Sequence, residues 1–216
     1  MKSQPLLFIL FSMGMLLQFA CQSGEQTTKE QEDTPTIDSS LFIIEAGRSV
    51  GLITSASTIS DIQKAYGPEN TLIQQINIGE GAMRPGIVVF PNTPNALEVI
   101  MDVPSATGTP QFIRISNRNT AWKTSNGISI GTSIAELEAL NGRPFQLMGF
   151  EWDFSGLIFD WNGGQLSPAL IIAMIPGKAG PVPEALLGDV QLSSQDTVLL
   201  STFPIVGSMV ITFSED

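Results

Sequence analysis

Two ten-residue segments 75 positions apart specify the same short helix, and this repeat restricts the possible folds more than any other feature of the chain. The first runs from Thr58 to Gly67 and the second from Ser133 to Gly142, and they align without a gap. Each opens on a hydroxyl residue with a carboxylate three residues later, Asp61 or Glu136. That is the spacing of a capping box, in which hydroxyl and carboxylate each accept a bond from the other residue's backbone N–H. Ile59, Ile62 and Ala65 correspond to Ile134, Leu137 and Leu140, giving one apolar stripe per helix. Gly67 and Gly142 suit the left-handed position past a helix end, and Pro68 and Pro144 discourage continuation.

Short β-like runs flank both copies. Residues 50–54 precede the first helix and residues 127–131 the second. After the first come runs at 72–78, 86–90, 96–101 and 112–116, and after the second at 145–154, 157–161, 169–175, 198–203 and 209–213. Turn residues separate them, the pattern of antiparallel strands rather than of crossovers. The expected fold is α+β: two tandem units, each a short helix packed on an antiparallel three- or four-stranded sheet, over residues 41–120 and 121–216.

The stretch GISIGTSIAELEALNGRPF, residues 127–145, carries a Gly-flanked strand, a capped helix and a Gly-Pro exit. It resembles the tandem α/β units of the β-lactamase inhibitor protein family and of the small outer-membrane lipoproteins of the SmpA/OmlA type. The resemblance covers about a third of each unit. It implies protein binding or envelope assembly rather than catalysis, and it carries over no functional residue.

The N-terminus has the parts of an export signal. Lys2 is followed by an apolar run from Leu6 to Leu17, then by Gln18, Phe19, Ala20 and Cys21. A dozen helical residues rise only about 18 Å, too short to span a bilayer. A positive start, an apolar stretch and a small residue before the cut describe a secretory signal over residues 1–20. Ala20-Cys21 resembles the end of a lipobox, which implies cleavage before Cys21 and lipid on its sulfur and amino group. Two or more acyl chains anchor stably where one does not. Residues 21–40 then read as a lipidated Cys and a disordered acidic tether with a reach of about 25 Å. The expected location is a bacterial cell envelope, at the outer membrane, with the lipid anchor as the membrane partner.

Composition closes off several function classes. The chain has no histidine, and Cys21 is its only cysteine. Ser-His-Asp triads, Cys-His nucleophiles, Cys/His zinc sites and internal disulfides are therefore all impossible. A net charge of −11 with no Lys/Arg run opposes binding to nucleic acid or anionic headgroups. The Gly-containing runs at 79–81 and 127–131 lack a full phosphate-loop pattern, and no organic cofactor is expected.

The most distinctive run is residues 149–164. Phe150, Trp152 and Phe154 alternate with Glu151 and Asp153, the period of a strand. With Ser155-Gly156 as a two-residue turn, Phe154 faces Leu157, Trp152 faces Phe159 and Phe150 faces Trp161, an aromatic ladder on the core side. The same register sets Glu151 opposite Asp160 with Asp153 on the diagonal. Three carboxylates on one face call for a cation (Arg114, Arg118, Lys123 or Arg143, or a bound Ca²⁺) or stand as plain solvated carboxylates. Glu151, Asp153, Asp160, Trp152 and Trp161 are thus the candidate ligand or metal residues. The Pro/Gly-rich stretch 176–183, followed by apolar residues 185–187, reads as a crossing loop or a partner-binding loop. The leading expectation is a non-enzymatic envelope lipoprotein that acts as a protein-interaction module. The alternatives are a glycan- or divalent-cation-binding lipoprotein that uses the acidic Trp-containing hairpin, and a carboxylate-based hydrolase.

Overall fold

The computed structural model describes residues 39–103 and 107–213. Cys21, the signal and most of the tether lie outside the described residues. The fold is mixed α+β, with three short helices and mainly antiparallel sheets.

Both capping boxes form. Helix α1 (Ile59–Tyr66) starts at Thr58, whose N–H donates to Asp61 Oδ2 at 2.9 Å while Asp61 N–H donates to Thr58 Oγ1 at 3.2 Å. Helix α2 (Ile134–Asn141) repeats this with Ser133 and Glu136, at 2.8 and 3.3 Å. Their ends differ. Gly142 takes the expected left-handed conformation (φ 73°, ψ 3°), but Gly67 has φ 86° and ψ 139°. Gly67 stands directly before Pro68, whose ring forces the preceding residue to an extended ψ. The chain therefore leaves α1 into the 3₁₀ turn Pro68–Asn70.

The strands are β1 (Ile43–Glu45), β2 (Ser49–Val50), β3 (Ile53–Thr54), β4 (Thr71–Gly79), β5 (Ala82–Val89), β6 (Leu97–Met101), β7 (Pro110–Ile115), β8 (Lys123–Thr124), β9 (Gln146–Met148), β10 (Ile158–Asp160), β11 (Leu170–Ile175), β12 (Gln191–Ser193) and β13 (Ile205–Thr212). A six-stranded antiparallel sheet has the order β11-β13-β7-β6-β5-β4. Smaller sheets run β3-β2-β1-β8 and β10-β9-β12. Two expected strands are absent. Residues 127–131 are irregular, with Ile128 N–H bonded to Thr124 Oγ1 at 2.8 Å. The run expected at 198–203 is helix and turn: Asp196 Oδ1 accepts from Val198 and Leu199 N–H and starts α3 (Thr197–Leu200). A local N-cap here overrides β-branched composition.

One main core spans both halves of the chain, from Phe42 to Ile211. Ile87, Val99, Ile113 and Ile211 stand in register across β5, β6, β7 and β13 and are all fully buried on one face of the large sheet. Ile62 and Tyr66 of α1 and Ile134 and Leu137 of α2 belong to this core. Each helix closes on a buried polar residue. Tyr66 Oη accepts Leu52 N–H at 2.9 Å, and burial pushes its phenol pKa up. Asn141, fully buried, donates its amide to Arg143 O and Trp161 O, both at 2.9 Å, and its Oδ1 accepts Leu166 N–H at 3.3 Å.

The other face of the large sheet carries a small second cluster of Ile76, Val88 and Ile100. Strand β6 pairs with β5 only along Gly86–Val89, so the outer half of the β4–β5 hairpin is free to lean back over this face. Ile76 closes over the space left by Gly86, where any side chain would collide with it. Arg114 Nη2 donates to Asn77 O at 2.7 Å and Arg114 Nε to Glu98 Oε2 at 2.6 Å, which ties the leaning hairpin to β7 and β6.

Candidate functional site

The tip of the β9–β10 hairpin brings together three of the five residues expected to form a site. Pairing is short: Leu147 opposes Ile158 and Gln146 opposes Asp160, with an irregularity between. Met148 N–H donates to Leu157 O at 2.9 Å and Gly156 N–H to Gly149 O at 2.8 Å. Residues 150–155 lie beyond these bonds and form the tip.

Backbone bonds fix the tip inside and out. Glu151 N–H donates to Ser155 Oγ at 3.0 Å, Ser155 N–H to Trp152 O at 2.9 Å and Leu157 N–H to Phe154 O at 2.9 Å. From the flank, Phe150 N–H donates to Leu186 O at 2.8 Å, Gly188 N–H to Phe150 O at 3.0 Å and Gly149 N–H to Val190 O at 2.8 Å. On the other side Met174 N–H donates to Gly156 O at 2.8 Å. Two neighbouring segments therefore clamp the loop.

Phe150 is buried in the main core, but the next four residues all face solvent. Trp152 is 63% exposed and Phe154 59%, and Glu151 and Asp153 stand beside them. The aromatic ladder and the three-carboxylate face therefore do not form. The expectation required an extended chain to Phe154, but Glu151 has φ 70° and turns the chain just after Phe150. Gly149 contributes to this: a side chain there would meet Gly188 O and Leu186 O.

Asp160 consequently opposes Gln146 rather than Glu151, and its Oδ1 accepts Asn162 N–H at 2.7 Å. It is a turn former for the next loop. Trp161 packs edge-on against Phe145 at 5.2 Å between ring centres instead of facing Phe150. Of the bases considered as partners, Arg114 pairs with Glu98, and Arg143 Nη1 reaches Asn162 O at 3.4 Å. Among the described residues, no three of His, Cys, Asp and Glu stand together in a way that could hold a metal ion.

The Pro/Gly stretch 176–183 leads into this site. Val182 packs on the core, and the 3₁₀ turn Glu184–Leu186 buries Leu186 and presents its carbonyl to Phe150. Sequence pattern gave no sign of this contact, in which backbone hydrogen bonds link segments about 35 residues apart.

A groove of about 430 Å³ runs beside α2 and includes Glu138, Arg143, Ser194 and Leu200. Ser194 donates its hydroxyl to Glu138 Oε2 and accepts Phe145 N–H at 3.1 Å, while Glu138 Oε1 accepts Gln195 Nε2 at 2.8 Å. Ser194 is 2% exposed, and these bonds use its hydroxyl as both donor and acceptor. The pair pins α2 to the segment after β12. The aromatic-acidic tip is thus the better candidate site. Comparison with protein-family models, with curated proteins and with solved structures gives no match.

Proposed function

We propose that this chain is an exported lipoprotein, anchored through Cys21, that binds another envelope protein through the β9–β10 tip. The observation that carries this reading is the clamped loop with Trp152 and Phe154 turned outward. Tryptophan on a rigid, exposed support has the character of a binding hot spot, because little entropy is lost when it docks. Loops placed by a rigid scaffold are where binding residues concentrate.

The scaffold is read as two tandem units. Support comes from two helices with the same capping box, each closing on a buried polar residue and each followed at the same offset by a hairpin. It also comes from β7 and β13, the last strand of each half, which pair antiparallel along Phe112–Ile115 and Met209–Thr212. The lack of histidine and of any cysteine besides Cys21 removes the Ser-His-Asp and Cys-His routes to catalysis, which supports a non-enzymatic role over the carboxylate-based hydrolase.

A photo-crosslinking residue in place of Asp153, between the two rings, in the full chain in its native envelope, tests the reading. A discrete protein adduct is expected from position 153 and none from Glu80, the exposed tip of the β4–β5 hairpin. No adduct at 153, or equal adducts at both, refutes it. Loss of the 153 adduct on adding soluble glycan fragments would favour the glycan-binding alternative, which draws on the same exposed indole. Mass spectrometry of the mature protein tests the anchor: an unmodified Cys21 would remove it.

A further inference from the structure

We infer that the partner surface received by the tip is cationic: an apolar recess edged by Lys or Arg. This rests on the docking reading above and goes beyond it to the partner's chemistry. The centre of the tip is apolar. Trp152 lies against Gly188, where a side chain would stand 3.7 Å from the indole nitrogen, and Val190, 37% exposed, borders Gly149. The charged residues of the segments that form and bond the tip, 149–156 and 184–190, are all acidic. Glu151 and Asp153 alternate with the two rings, Asp189 adjoins Gly188, and Glu184 lies two residues before the Leu186 carbonyl that holds Phe150.

Among the described residues none of these carboxylates stands in an ion pair. The ion pairs among the described residues are Arg48–Glu45 and Arg114–Glu98. Lys178 is the only base between residues 144 and 213, against the acids Glu151, Asp153, Asp160, Glu184, Asp189 and Asp196. An exposed apolar centre within an anionic rim selects by charge while it binds by burial. The rim repels acidic proteins, nucleic acid and anionic lipid, and it speeds encounter with a basic surface. The rings supply most of the affinity.

A phage-displayed library of random twelve-residue peptides, selected on the full chain in detergent, provides the probe. Enriched peptides are expected to carry Lys or Arg on either side of bulky apolar residues. Their affinity should fall at least tenfold in Trp152→Ala and in Phe154→Ala. Glu151→Gln/Asp153→Asn/Asp189→Asn should slow association about tenfold and flatten its salt dependence. The remote double change Glu69→Gln/Glu80→Gln should do neither. Neutral or acidic peptides that still need Trp152 would overturn the cationic partner and leave docking intact. So would an equal loss in the remote variant, which would trace the effect to overall charge. If no enriched peptide depends on Trp152 or Phe154, both readings fail.

Discussion

The hairpins that follow the two capped helices begin at equivalent positions, Thr71 and Gln146, yet they use their apolar residues in opposite ways. The first pairs continuously from Thr71–Val89 to Asn77–Met83 and turns at Gly79, Glu80 and Gly81. It then leans back and buries Ile76 against Val88 and Ile100. The second pairs at two positions only, turns at the left-handed Glu151 and directs Trp152 and Phe154 into solvent. What separates them is what their neighbours supply. In the first, Arg114 and the gap at Gly86 give the hairpin a surface of its own sheet to close on. In the second, the carbonyls of Leu186 and Gly188 fill the space beside Gly149, and the clamp on Phe150 directs the following residues outward. One hairpin has gone into stability, and the other has been left available for contact.

The strongest test of that contrast is removal of the buried anchor from each. Phe150→Ala empties a site in the main core and should cost about 3–5 kcal/mol in urea unfolding. Ile76→Ala should fall near the lower end of the roughly 2–5 kcal/mol range, because its cluster has only two other buried members, Val88 and Ile100. If Ile76→Ala proved the costlier of the two, the assignment of anchors would be wrong.

The two turns offer the next largest contrast. Gly156 and Gly81 both have positive φ, 68° and 74°. A methyl at Gly156 would also run into the carbonyl of Met174, whereas one at Gly81 meets nothing within 4 Å. Gly81→Ala should therefore cost only the conformational penalty, about 1 kcal/mol. Gly156→Ala should cost at least twice that and reduce the melting temperature accordingly. Equal shifts in the two variants would show that Gly156 is not packed as described.

These contrasts also mark how far the chain could be read from its sequence. The two repeated helices were legible, because a capping box is set between residues three apart, and both boxes form. Most strands of the large sheet were legible as well, since alternation and turn residues are local signals. The second hairpin was not. Phe150, Trp152 and Phe154 alternate as a strand should, but Leu186 and Gly188 bond the backbone at Phe150, and no side-chain pattern announces such a bond. The same holds for Asn141, whose three partners lie at residues 143, 161 and 166. Residues 198–203 were misread for a smaller reason: one aspartate, Asp196, outweighed the apolar run behind it.

The caps should respond alike in the two halves, which makes them a control for the hairpins. Thr58→Ala and Ser133→Ala should each cost about 1 kcal/mol. Bonds from the cap side chain, and then from its backbone N–H, hold the Asp61 and Glu136 carboxyls below the ordinary carboxylate range. A carboxyl whose folded pKa is depressed stabilises fully above its unfolded value, near 4, and this contribution is lost as pH falls through the folded value. The difference in stability between wild type and Glu136→Ala should therefore be present at pH 7 and shrink as the pH falls below the ordinary carboxylate range. A difference that persisted in acid would mean that the cap does not depend on the charge.

The smallest expected effect is the most telling for function. Trp152→Ala and Phe154→Ala remove two of the bulkiest side chains in the molecule, yet each should change stability by no more than about 0.5 kcal/mol, as for surface positions. Most of each ring already meets water in the folded state, so little burial is lost. The backbone bonds that shape the tip use main-chain atoms and Ser155 Oγ, which neither substitution removes. If either variant unfolded early, the ring would be serving the fold, and the case for docking would weaken. Unchanged unfolding together with a lost crosslink partner would mean that these rings face outward because something outside the chain receives them.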